Sequence, residues 1–197
     1  AVYGLVFHKG RDDSRGQLRD HDKPLILAMS RLDHVKNVSG LVECFAGSEQ
    51  LQKLANLLVV GGSIDPNLSD DDDERAQIEL VHHVMDEHNL DGVMRWVNMQ
   101  SDKNIVAELY RLVGDKRGVF VQPALFEAFG LTVIEGMSSG LPVFATCYGG
   151  PLEIIQNGKS GFHVDPNHPE KMAQTLSEFF TKCSKNPGYW NKISNNA

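Results

Sequence analysis

Two bases and two acids have the types and spacing to do chemistry. Arg31 and Lys36 stand five apart in Ser30-Arg31-Leu32-Asp33-His34-Val35-Lys36-Asn37, directly after the apolar run Pro24–Met29. Arginine offers a planar fork of donors and lysine a compact point charge, a combination suited to a diphosphate. The segment runs into a predicted helix, whose N-terminus adds free N–H groups and a positive dipole end. Exposed Arg and Lys are common on any surface, so spacing alone does not make an anion site. The acids, Glu127 and Glu135, bracket Phe129-Gly130-Leu131-Thr132. Gly130 permits close backbone approach, and the amides of Phe129 to Thr132 open a second predicted helix toward an anion. Glu135 falls about one turn inside that helix, so both carboxylates can face one crevice. A carboxylate accepts from both hydroxyls of a ribose. The plainer reading is a cap-region acid and a surface acid.

Other motifs say less. Gly61-Gly62 lacks the third glycine and the following helix of a dinucleotide fingerprint, which disfavours a dehydrogenase. Gly149-Gly150-Pro151 is either turn chemistry or the edge of a pocket. Cys44, Cys147 and Cys183 form no CxxC, so neither a zinc ribbon nor a redox motif is available, and a reducing cytoplasm is the expected home. His82 and Asp86 lie four apart on a predicted helix, but two ligands are not a metal site. The acidic run Asp70–Glu74 reads as a solvated loop entering a helix, where acids suit the N-terminus.

Positioning these residues requires alternating strands and helices. Predicted strands are 24–29, 56–62, 94–97, 119–121, 142–145 and 162–164. Predicted helices begin at Asn37, as its N-cap, and cover 73–89, a segment capped by Asp102, 131–139, 153–157 and a segment starting at Pro169, with a last helical turn after Pro187. Such alternation implies an α/β fold, an open, mostly parallel Rossmann-like sheet with helices on both faces. Ligands then bind outside the carboxyl ends of the strands, in the loops after Met29, Val60, Val97 and Val121.

With 197 residues, 41% apolar and 23% charged, the chain has the composition of one globular domain. Its net charge of −7 makes it a poor bulk binder of nucleic acid or anionic membrane. No apolar run approaches the ~20 residues of a membrane span. The N-terminal AVYGLVFHKG is not expected to be a signal peptide.

Taken together, Arg31-x4-Lys36 and Glu127-x7-Glu135 around Phe129-Gly130-Leu131 resemble the retaining GT-B glycosyltransferases of family 4. The resemblance is closer still to the sucrose synthase group. It is carried by Arg31-Leu32-Asp33, Val59-Val60-Gly61-Gly62, Phe120-Val121-Gln122-Pro123-Ala124, Gly149-Gly150-Pro151 and Gly161-Phe162-His163, and it covers about residues 22 to 194. It implies the C-terminal, nucleotide-sugar-binding half of a GT-B fold, with the acceptor site in a missing N-terminal domain. It further implies that Arg31 and Lys36 hold the diphosphate and that Glu135 holds the ribose. Gln100 would contact the base, and the amides of Phe129, Gly130, Leu131 and Thr132 would touch sugar and phosphate. Glu127 would be catalytic, beside the transferred glucose. The implied substrates are UDP or ADP and their glucose conjugates, with no cofactor and no metal. The implied reaction interconverts sucrose plus nucleoside diphosphate with fructose plus nucleotide-glucose, and a homo-oligomer of the full-length protein is compatible with it. Sucrose-phosphate synthase or another family 4 transferase, or a non-catalytic nucleotide-binding module, are the alternatives. The chain departs from the family pattern at His34, Phe126, Gly136 and Val106. The last stands where the family tends to place an Asn near the base, so uracil and adenine both stay open.

Overall fold

The computed structural model describes residues 2–8, 12–98, 100 and 102–197. Its centre is a seven-stranded sheet in the order β1-β4-β3-β2-β5-β6-β7. The strands are β1 (Ser14–Leu18), β2 (Leu25–Met29), β3 (Asn56–Val60), β4 (Val93–Val97), β5 (Val119–Gln122), β6 (Val143–Thr146) and β7 (Gly161–Val164). All neighbours pair in parallel except β1, which lies antiparallel on β4. The helices are α1 (Val2–Phe7), α2 (Val38–Ala46), α3 (Glu49–Leu54), α4 (Asp72–Glu87), α5 (Lys103–Asp115), α6 (Leu131–Ser138), α7 (Pro151–Ile154), α8 (Pro169–Lys185) and α9 (Pro187–Ser194).

The inner strands are apolar on both faces because both faces are covered. Successive side chains of a strand point to opposite sides. Ile26 and Ala28 of β2, with Leu57 and Val59 of β3, join one core with α2, α4 and α8. Leu25, Leu27 and Met29, with Leu58 and Val60, join a second core with α1 and α5. Among the described residues, no helix is long and apolar enough to cross a membrane.

The chain fills β2, β3 and β4 outward to one side, then returns to place β5 on the other side of β2. The strand order therefore reverses between β2 and β5. A crevice opens at such a switch point because the two following loops leave in opposite directions.

Three elements lie outside the sequence expectation: α1, β1 and α3. β1 is Ser-Arg-Gly-Gln-Leu, with only Leu18 buried, so no apolar alternation betrays it. α3 did carry a signal, since the Ser48 side chain accepts from the Leu51 amide as an N-cap. α7 starts at Pro151 rather than Glu153 and ends at Ile154, because Ile155 turns extended and is buried in the core. Asn37 is not a side-chain cap. It is left-handed, with φ 52°, and its Nδ2 donates to the Pro123 carbonyl at 3.0 Å. Asp102 does cap α5, accepting from Asn104 N at 2.8 Å. The expected last turn is a full helix: α9 buries Ile193, and Trp190 Nε1 donates to Gly118 O at 2.8 Å.

Candidate active site at the switch point

The loop after β2 is shaped by its own aspartate. Asp33 Oδ1 accepts from the Lys36 amide at 2.8 Å, folding residues 33–36 into a turn. Asn37 reaches the neighbouring loop through Pro123, and the Leu125 amide donates to Val35 O at 2.8 Å. The loops after β2 and β5 are thereby tied across the switch point. A third tie comes from the acidic run: Asp73 accepts from the His34 amide at 2.8 Å. Asp71, one of the same run, caps α4. Nothing in the spacing of five acids singled out Asp73, since its role depends on where α4 is packed.

Between these loops lies a cleft of about 190 Å³, lined among others by Ser30, Arg31, Lys36, Gln122, Pro123 and Thr132. Arg31 is 78% exposed and pairs only loosely with Asp33 at 3.2 Å. Lys36 Nζ donates to Glu127 Oε2 at 2.9 Å, and this pair is far less exposed. Gln122 Nε2 donates to the same oxygen at 2.7 Å, and the Gly130 amide donates to Glu127 Oε1 at 3.2 Å. Burial by itself pushes the Glu127 carboxyl upward. The Lys36 hydrogen bond, the amides of Gly130 and Phe129 and the Lys36 charge together outweigh it and hold the group below the usual glutamate value.

Gly130 sits left-handed, at φ 79°, as the residue before α6. Leu131, Thr132 and Val133 form the first turn of α6 and have no carbonyl four residues earlier within the helix. Thr132 lines the cleft, so these amides open beside Arg31 and Lys36. The amides of the Phe129–Thr132 segment thus divide: Phe129 and Gly130 serve Glu127, while the first turn of α6 points elsewhere.

The two glutamates do not share a wall. Glu135 lines a separate groove of about 500 Å³ with Lys103, Val106 and Tyr110, between α5 and α6. The Tyr110 hydroxyl is buried there, and burial together with the Glu135 charge raises its pKa. The expectation that both acids face one crevice is therefore corrected. Eight residues of loop and helix carry Glu135 onto the α5 side of α6, whereas Glu127 turns in under the helix start. Gln100 lies three residues past the end of β4 and three before Lys103, and its side-chain amide donates to Asn98 O at 2.8 Å. His82 and Asp86, considered as a metal pair, instead both meet Arg15, Asp86 at 2.5 Å.

Gly149-Gly150 proves to border the site. The Glu127 amide donates to Tyr148 O at 3.1 Å, and the Gly150 amide donates to Glu127 O at 2.7 Å. Gly149 has φ 103°, and a Cβ there would run into the Glu127 carbonyl oxygen. Only glycine lets the two loops approach so closely.

The family model for glycosyl transferases group 1 matches residues 10–197. A sucrose synthase from Nitrosomonas europaea is 59% identical over 197 residues, covering 100% of this chain and 25% of that protein. A sucrose synthase from Denitrovibrio acetiphilus is 57% identical over 196 residues, again covering 100% of this chain and 25% of that protein. The chain thus spans about a quarter of the length of these relatives. Among solved structures, sucrose-phosphate synthase from Thermosynechococcus elongatus superposes with a TM-score of 0.70 at 28% identity, covering 90% of this chain and 40% of that one.

Proposed function

The chain belongs to the group 1 glycosyl transferases, and from that premise we propose that it is the donor-nucleotide-binding domain of a sucrose synthase-like enzyme. The full protein would interconvert sucrose plus UDP or ADP with fructose plus the nucleotide-glucose. The observation that carries the proposal is the convergence of Arg31, Lys36 and the first turn of α6 on one cleft at the switch point. A phosphate-bearing ligand is what such a set of donors recognises. The sucrose synthase group is preferred over sucrose-phosphate synthase because identity is 59% to the first and 28% to the second.

In this reading the diphosphate lies on Arg31, Lys36 and the α6 amides. The ribose reaches Glu135 in the groove between α5 and α6, and the base extends toward Gln100. Glucose sits at Glu127. As the bond from glucose C1 to the diphosphate oxygen breaks, negative charge gathers on the leaving phosphate. Once turned onto the diphosphate, Arg31 and Lys36 meet that charge together with the helix end, and donors held there stabilise the leaving group. Retention of configuration fits a front-face displacement in which the diphosphate takes the acceptor proton. The nucleotide-sugar is then a substrate, and the fold supplies the rest without a cofactor. The acceptor site and the other wall of the crevice would come from a further domain.

Calorimetry tests the reading. UDP and ADP are titrated into the chain at low and high salt, with and without Arg31→Ala. Losing the guanidinium should cost roughly 1.5–3 kcal/mol of binding, the range for hydrogen bonds to charged groups, and binding should weaken with salt. Unchanged affinity would remove Arg31 from the site.

A further inference from the structure

We propose that Gln122 is a positioning residue for Glu127, a neutral anchor that keeps this carboxylate in place when Lys36 turns to the phosphates. The inference rests on the nucleotide-sugar reading of the cleft.

Gln122 is the last residue of β5, and β5 lies between β2 and β6 in the middle of the sheet. Its backbone stands opposite Ala145, so its Cα has little freedom. The side chain is 5% exposed and lines the cleft beside Lys36 and Thr132. An ionised carboxylate can only accept, so the amide must turn its NH₂ toward Glu127. The structure has this orientation, with Nε2 at 2.7 Å from Glu127 Oε2. The other end of the amide gains nothing from it: Gln122 Oε1 is buried without a hydrogen-bond partner. A buried acceptor left unpaired is unfavourable. The amide is therefore held by Glu127 rather than by contacts of its own oxygen.

Oε2 of Glu127 has two side-chain donors, and they differ in kind. Lys36 is 30% exposed and ends a flexible four-carbon stem. It also lines the cleft where a diphosphate would lie, and a phosphate oxygen there would compete with Glu127 for its three protons. Gln122 carries no charge and cannot be drawn toward an anion in that way. Once Lys36 engages phosphate, Gln122 on Oε2 and the Gly130 amide on Oε1 are what hold the carboxylate plane. Lys36 is the charged group that faces Glu127, and the amides of Phe129 and Gly130 are its other partners.

The experiment uses Gln122→Leu, which keeps the volume and removes the donor, and Gln122→Met as a second variant should the first not fold. In the chain itself, carbon NMR follows the Glu127 carboxyl with pH in the presence of saturating UDP. In the full-length protein, steady-state kinetics with sucrose and UDP are measured against pH. The expected result is a Glu127 titration moved to higher pH, at least a tenfold fall in kcat and an acid limb of kcat shifted the same way. The Michaelis constant for UDP should stay within twofold. An unmoved Glu127 titration would overturn the proposal, as would a kcat that falls only in step with UDP affinity. If the unmutated chain binds no UDP, the cleft reading falls instead, and the NMR titration without nucleotide still tests the anchor.

Discussion

Glu127 meets more donors than its burial costs it, and the consequence is a carboxylate that is charged at neutral pH. A group whose folded pKa lies below its unfolded one stabilises the fold above the unfolded value, and that contribution is lost as pH falls through the folded value. Thermal melts from neutral pH down through the usual glutamate range near 4.5 should therefore show an acid-induced loss that Glu127→Gln reduces. An equal acid loss in both proteins would mean that the Lys36 pair does not matter to stability. In catalysis the two glutamates should separate. Glu135 would bind a ribose present in ground and transition state alike, so Glu135→Gln in the full-length enzyme should raise the Michaelis constant for the nucleotide. Glu127→Gln should lower kcat and leave UDP affinity intact, or tighten it, since Lys36 loses its competing anion. Kinetics of both variants, paired with UDP titration of the chain, decide the matter. A Glu127→Gln variant that loses UDP as badly as Glu135→Gln does would refute the division of roles.

At the scale of elements, the site depends on loops that brace one another. The Glu127 loop is paired through backbone to Tyr148 and Gly150, and it leads into α6 by the left-handed Gly130. Gly149→Ala would force a Cβ against the Glu127 carbonyl at a backbone angle that L residues resist. Strain of that kind costs about 1–3 kcal/mol. For a chain of this size each kcal/mol lowers Tm by roughly 2–4 °C, which calorimetric melting would read directly. The same variant should weaken the Glu127 contacts, because the loop must retreat to make room. A wild-type Tm in Gly149→Ala would show that the two loops are not in fixed contact. Gly136 illustrates the opposite pull. Glycine costs ~1 kcal/mol relative to alanine inside a helix. Here, however, an added Cβ would stand 3.1 Å from Phe120 and from Val143. Close packing of α6 on β5 and β6 is what this glycine allows.

At the scale of the whole molecule, the proposed function makes the sheet one wall of a crevice. Phe126, Phe129 and Leu131 are 57%, 78% and 69% exposed beside the cleft, an apolar rim on the loop that carries Glu127. One wall can bind a nucleotide but cannot place an acceptor or exclude water, and both contribute heavily to rate. The 197-residue chain should therefore bind UDP and release no fructose from sucrose. A coupled fructose assay on chain purified free of longer enzyme checks this. Measurable turnover would mean that the chain holds a complete active site.

Much of this architecture is dictated locally. Apolar runs of three to seven residues, separated by helical stripes, point to a parallel sheet covered on both faces, because such runs bury apolar side chains on both sides. Arg31, Lys36 and Glu127 follow strands, so their placement at the carboxyl end of the sheet is implied by chain order. What the sequence could not supply is whatever depends on a partner distant in the chain. β1 is polar and becomes a strand only because β4 offers an open edge. Asn37 has the composition of a cap, yet its amide goes to Pro123, 86 residues away. Glu127 and Glu135 look like a pair by spacing and are parted by the packing of α6, which turns one toward Lys36 and the other toward α5. Gln122 falls one residue past the predicted strand 119–121 and carries no signal of its own there. Its role emerges only where the end of β5 meets the Glu127 loop, since a hydrogen bond requires two groups within about 3 Å, and only the tertiary fold sets that distance.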